Sequence, residues 1–131
     1  MKAEDVYRRY NEAENIYDWD STSKLLATDI EVAVNGVRVV SSSEEDTQAM
    51  KTLVSMFPDY RREIIQIISN EEYASVRWRM TGTSLINSSG NLNVEGVSII
   101  RTDKETIVEA FLYAHSDALD NALENARSKA C

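Results

Sequence analysis

Two side chains have the clearest claim to chemistry: His115, the only histidine, and Asp59, which follows the only proline. A neutral imidazole with a pKa near ~6.5 can take an acidic proton from a carbon beside a carbonyl and return it elsewhere, contributing about 10² to 10⁴ in rate. That chemistry serves an aldol-type ring closure, a lactone or pyrone closure, a dehydration or an isomerisation. Strand alternation sets Glu109, Phe111, Tyr113 and His115 on one side and Val108, Ala110, Leu112 and Ala114 on the other, so the first set combines an apolar wall with a titratable end. The plainer alternative has His115 at the rim of the fold, donating to a backbone carbonyl. Asp59, if it faces His115, would orient the imidazole or share its proton; otherwise it is a turn aspartate that accepts from local backbone donors.

Aromatic residues supply candidates for a pocket wall. Tyr7, Tyr10, Tyr17 and Trp19 fall on or just after a first helix, where a tyrosine hydroxyl could stabilise an enolate or the ring could simply pack. Tyr10 reads as packing, whereas Tyr17 and Trp19 stay open as substrate contacts. Trp78 shares a strand face with Val76 and Met80 and reads as wall, with Phe111 and Tyr113 opposite. Arg77 and Arg79, on the other face of that strand, could reach a substrate carboxylate or a subunit interface, or keep the sheet soluble. Cys131, the sole cysteine, excludes an internal disulfide and is a poor nucleophile at a chain end. One histidine and no cysteine cluster leave metal binding unsupported, and no glycine-rich phosphate loop or dinucleotide fingerprint is present, so no cofactor is expected.

The elements that must position these groups follow from spacing. Val6, Tyr10, Ala13 and Tyr17 recur with the period of one helix face. Asp20 or Ser21 can start a short second helix that carries Leu25 and Leu26 and stops near Asp29. Ile30, Val32 and Val34 then alternate up to the turn pair Asn35-Gly36, and residues 37–40 form the hairpin partner. Ser42 and Glu45 fit a capping box for a third helix that Pro58 must end. Four β-rich runs follow, 60–68, 73–85, 92–101 and 106–115, separated by short polar breaks, as in an antiparallel meander. Residues 116–129 return to helical spacing, with a thin alanine-rich stripe. Helices first and a meander afterwards predict an α+β domain over residues 1–131, its three helices covering one face of a strongly curved sheet and leaving a conical hollow.

Composition limits the partners. With 131 residues, 43% of them apolar, the chain can bury roughly two thirds of its unfolded surface around one core. A net charge of −8 repels phosphate backbones, so nucleic acid is not expected. No run approaches ~18 apolar residues and the amino end is too polar for a signal peptide, which points to a cytoplasmic protein without membrane contact.

Several pieces in order resemble the SnoaL-like polyketide cyclases of the nuclear-transport-factor-2-like superfamily. They are Phe57-Pro58-Asp59, the strand from Ala74 to Thr83, the strand from Glu95 to Arg101, and Ile107-Val108-Glu109-Ala110-Phe111. The resemblance implies a cone-shaped fold, a cofactor-free cyclase or isomerase of secondary metabolism, a small apolar carbonyl-bearing substrate, and a homodimer joined through the sheets. The family's last strand commonly carries two aromatics and then a catalytic aspartate at alternate positions. Here Phe111, Tyr113 and His115 have that spacing, with Asp117 two residues further. By this resemblance His115 and Asp59 are the catalytic candidates, and Tyr17, Trp19, Trp78, Phe111 and Tyr113 line the pocket. The rival reading is a binding or subunit-association module that uses the same hollow without catalysis. A transport adaptor is a third, although the family's nucleoporin-binding pattern is not found.

Overall fold

Helix α1 (Ala3–Asn15) buries Val6, Tyr10 and Ala13, as their spacing requires, and with them Tyr7, Asn11 and Glu14. The structure is a computed structural model that describes residues 2–86 and 90–114. The expected tail helix, His115, Asp117 and Cys131 therefore lie outside the described residues. Tyr17 does not extend the stripe of α1: it sits beyond the helix end with φ of 60°, in the left-handed region. That reversal moves the next cap forward. Asp18, rather than Asp20 or Ser21, starts α2 (Trp19–Lys24) by accepting from the Ser21 amide at 3.2 Å and the Ser21 hydroxyl at 2.7 Å. Leu26 is already in strand β1 (Leu26–Val34), so α2 ends one turn earlier than its apolar pair predicts.

Strand β1 turns at Asn35-Gly36, both with positive φ, into β2 (Val37–Val40), as this dipeptide does in tight hairpins. Helix α3 (Ser43–Met56) is capped by Ser42, whose hydroxyl accepts from the Glu45 amide at 3.1 Å; Phe57 and Pro58 end it. The meander follows as β3 (Arg61–Ser69), β4 (Tyr73–Gly82), β5 (Leu92–Asp103) and β6 (Thr106–Ala114). The sheet order is β2-β1-β6-β5-β4-β3. One pair departs from the expected antiparallel sheet: β1 runs parallel to β6, because α3 and the whole meander intervene before the chain returns beside β1. Asn35 fixes that junction by pairing its amide with the Ala114 backbone, at 2.6 Å to the carbonyl and 3.1 Å from the amide.

Register breaks in β1, β3 and β5 bend the sheet without closing it, and α1 and α3 lie in the concavity. Strand β4 alternates without a slip: Ala74, Val76, Trp78 and Met80 point inward and Tyr73, Ser75, Arg77 and Arg79 outward. Trp78 is fully buried, and its indole donates to the Ser98 hydroxyl at 2.8 Å. Its ring lies over Gly96, where a Cβ would collide with both Trp78 and Ala114. No helix among the described residues is long and apolar enough to cross a membrane.

Candidate functional site

Between the helices and the sheet lies a cavity of about 80 Å³. Its walls are apolar: Leu26, Ile30 and Val32 from β1, Ala110 and Leu112 from β6, and Met50 from α3. Its polar groups gather on the α1 side. Tyr7, Tyr10 and Glu14, spaced three and four apart, share one face of α1; Arg62 comes from β3, Asp46 from α3 and Ser98 from β5.

Arg62 organises this cluster. Its Nε donates to Asn11 Oδ1 at 2.8 Å, and its Nη2 lies 2.6 Å from Glu14 Oε2, in an ion pair buried on both sides. The guanidinium carbon sits 5.4 Å from the Tyr7 ring centre and 5.5 Å from that of Tyr10, so two π faces accompany the charge. Burial works against the charged form, but Glu14 and the neighbouring tyrosines carry the Arg62 pKa well above its ordinary value. Backbone bonds to Asn11 and Asn15 tie the same residue to α1. Tyr60 adds a donor to Glu14 Oε2 at 3.1 Å. Glu14 Oε1 and the Tyr7 hydroxyl are buried and have no hydrogen-bond partner among the described residues.

Asp46 closes the cluster from α3. The residue is half-buried, its carboxylate turned inward to accept from the Tyr10 hydroxyl at 3.0 Å. Burial, and after it the negative charge of Glu14, push its pKa up to about 6, against the pull of Tyr10 and Arg62. A carboxyl that titrates near neutrality on an apolar cavity can both accept and return a proton. Burial also raises the Tyr7 hydroxyl, which remains a neutral donor; Ser98 and Arg62 lie near enough to oppose that rise. Base and donor face one apolar space, which is the requirement for making and holding an enolate.

The residues singled out from sequence fall elsewhere. Asp59 is exposed and accepts from the Thr83 amide at 2.6 Å and hydroxyl at 2.8 Å, bonds that lower its pKa; it is the turn aspartate and does not line the cavity. Tyr17 shares its hydroxyl between the carbonyls of Pro58 and Tyr60 and stacks on Trp19 at 6.0 Å. That pair is brought together, outside the cavity wall. Trp78 lies one layer behind the wall, holding Ser98. Phe111 and Tyr113 are on the outer face of the sheet, 37% and 49% exposed. The alternation of β6 is as expected but its inward side is the opposite one. Ala110 and Leu112 pair with Val32 and Val34 of β1, and the concave side near Trp78 leaves room only for small residues such as Ala110 and Ala114.

Sequence spacing places Tyr7 and Tyr10 on α1 but does not reveal their cluster with Glu14, Asp46, Arg62 and Ser98. Glu14 lies four residues after Tyr10, on the apolar stripe itself, and Arg62 has the inward phase of its strand. A charged residue in phase with the core is the signal that would have found both.

The profile of the SnoaL-like domain matches residues 7–110. No curated protein matches the chain. Among solved structures, IdmH of Streptomyces antibioticus, a candidate polyketide cyclase, superposes with a TM-score of 0.79 at 17% identity, over 95% of this chain and 99% of its own. AclR of Streptomyces galilaeus, a candidate hydroxylase, gives 0.74 at 20% identity, over 92% and 83%. A candidate ketosteroid isomerase from Kribbella flavida gives 0.67 at 14% identity, over 85% and 76%.

Proposed function

This chain belongs to the SnoaL-like domain family, and we propose that it is a cofactor-independent cyclase or isomerase that moves a proton at a carbon beside a carbonyl. The observation that carries the reading is the Asp46 carboxyl, pushed up to about 6, bonded to Tyr10 and opening onto an apolar cavity shared with the unpartnered Tyr7 hydroxyl. Asp46 takes the α-proton while Tyr7, backed by Ser98, donates to the carbonyl oxygen as it gains charge. The enolate carbon then attacks a second carbonyl of the same molecule, closing a ring, or is reprotonated at another carbon. In both cases Asp46 gives back the proton it took, so no oxidant or reductant is consumed. Tyr10 positions the carboxylate, and Arg62 offsets the charge of Glu14 behind it.

The cavity of about 80 Å³ is small beside typical ligand pockets of ~300 Å³ and above. It suits the reacting end of a longer apolar chain, in keeping with a polyketide-like substrate of secondary metabolism. The competing base is His115. Short β-diketones in deuterated buffer, followed by NMR, separate the two: the wild type should exchange the α-protons faster than buffer, with a rate that rises through pH 6, and His115→Ala should keep that rate. No exchange above buffer, or its loss in His115→Ala, would overturn the assignment.

The same reading includes a homodimer formed through the outer sheet face, where Ile68, Tyr73, Ile99, Phe111 and Tyr113 remain exposed. Sedimentation at micromolar concentration should show a dimer that Tyr113→Asp weakens; a strict monomer removes it.

A further inference from the structure

One polar atom at the cavity wall stands out, Glu14 Oε1. Glu14 is fully buried, and its other oxygen, Oε2, already accepts from Tyr60 and pairs with Arg62. Oε1 has no partner among the described residues, yet Glu14 lines the cavity. A carboxylate oxygen can only accept, so what it lacks is a donor. Another buried group without a hydrogen-bond partner among the described residues, the Tyr7 hydroxyl, is a donor and stands on the same face of α1. The wall holds one other carboxylate, Asp46, which already accepts from Tyr10, and most of the rest is hydrocarbon, so Glu14 Oε1 is the carboxylate oxygen shown to lack a donor.

We propose that Glu14 Oε1 is a specificity subsite for a donor group, so that the substrate carries an alcohol, enol or phenol hydroxyl at the end that enters the cavity. This rests on the proton-transfer reading only in taking the carbonyl to be at Tyr7; the subsite itself is a matter of binding. A hydroxyl there donates to Oε1, and its loss leaves a buried charged acceptor without a partner, which is why analogues lacking the group are rejected. Arg62 and Tyr60 hold the carboxylate so that Oε2 faces them and Oε1 faces the ligand.

Phenol and fluorobenzene test the idea, since fluorine nearly matches a hydroxyl in size and cannot donate. By NMR titration the wild type should bind phenol at least about tenfold more tightly than fluorobenzene, a difference expected for a hydrogen bond to a charged partner. Tyr7→Phe, which removes the competing donor, should keep that preference. Glu14→Gln should reverse the sense: its amide oxygen turns to Arg62 and its NH₂ faces the cavity, so acetophenone gains on phenol. Equal binding of the two probes by the wild type, or loss of the preference in Tyr7→Phe, overturns the proposal, and neither depends on Glu14→Gln folding. Failure of α-proton exchange in the wild type would sink the catalytic reading while leaving the phenol preference intact, so the two can fail separately.

Discussion

Replacing Asp46 with asparagine should make the protein more stable and less active. The folded carboxyl holds its proton up to about pH 6, whereas an unfolded aspartate releases it near its ordinary 3.8. Between those values the native state binds more protons than the unfolded one, so stability falls as pH rises through the window. The displacement from 3.8 to about 6 corresponds to an upper bound of ~3 kcal/mol lost by pH 7, reduced by whatever water reaches the half-buried residue. Asparagine cannot ionise, keeps an oxygen for the Tyr10 hydroxyl, and should escape that loss. Thermal melts of both proteins at pH 4, 5, 6 and 7 should therefore nearly converge at pH 4, separate progressively between pH 4 and 6, and stay apart at pH 7, with the variant higher. Deuterium exchange into a β-diketone should meanwhile fall by about 10² to 10⁴, the usual contribution of a general base. Melting curves that stay parallel across this range would refute the pKa argument, and exchange within tenfold of wild type would refute the role.

The other expectations are simpler. Tyr7→Phe removes a buried hydroxyl with no hydrogen-bond partner in good geometry among the described residues, so the melting temperature should hold or rise while α-proton exchange drops by roughly 10-fold to 10³-fold. Asp59→Ala should leave exchange unchanged and cost about 1 kcal/mol in denaturant melts, because only the Thr83 bonds are lost. Gly96→Ala forces a methyl against the Trp78 ring and should cost about 1–3 kcal/mol by overpacking; an unchanged denaturation midpoint would show that β5 shifts freely.

The sequence carried the architecture because its punctuation is local. Asn35-Gly36, Ser42 with Glu45, and Pro58 each act through their own backbone, and the structure has a turn, a cap and a helix end there. The errors arose where a distant partner decides. Leu26 joins a strand instead of finishing a helix because it pairs with Ile107, far along the chain. The two faces of β6 were separated correctly, but which is inward depends on β1 and on the Trp78 ring, neither of which is visible in residues 106–114. The bulk that makes Phe111 and Tyr113 candidates for a pocket wall is what the concave side near Trp78 excludes.

The site was hard to read for a related reason. Asp46 has the appearance of a first-turn acid that answers the dipole of α3, together with Glu44 and Glu45. What separates it from them is Tyr10, 36 residues earlier, and the charge of Glu14 beyond it. In the sequence Arg62 reads as half of a surface pair with Arg61, yet it alone points inward, against two tyrosine rings. These charges are buried at a cost that hydrophobic substitutes would avoid, since replacing a buried ion pair by matched apolar residues is often neutral or stabilising. The arrangement also binds α1 to β3 through Asn11 and Asn15, a task that apolar contacts perform elsewhere in the same interface. Fastening the helix thus needs no ion pair. A charge pair kept on the wall of a cavity, with one oxygen left without a partner, is better explained by what enters than by what it holds together.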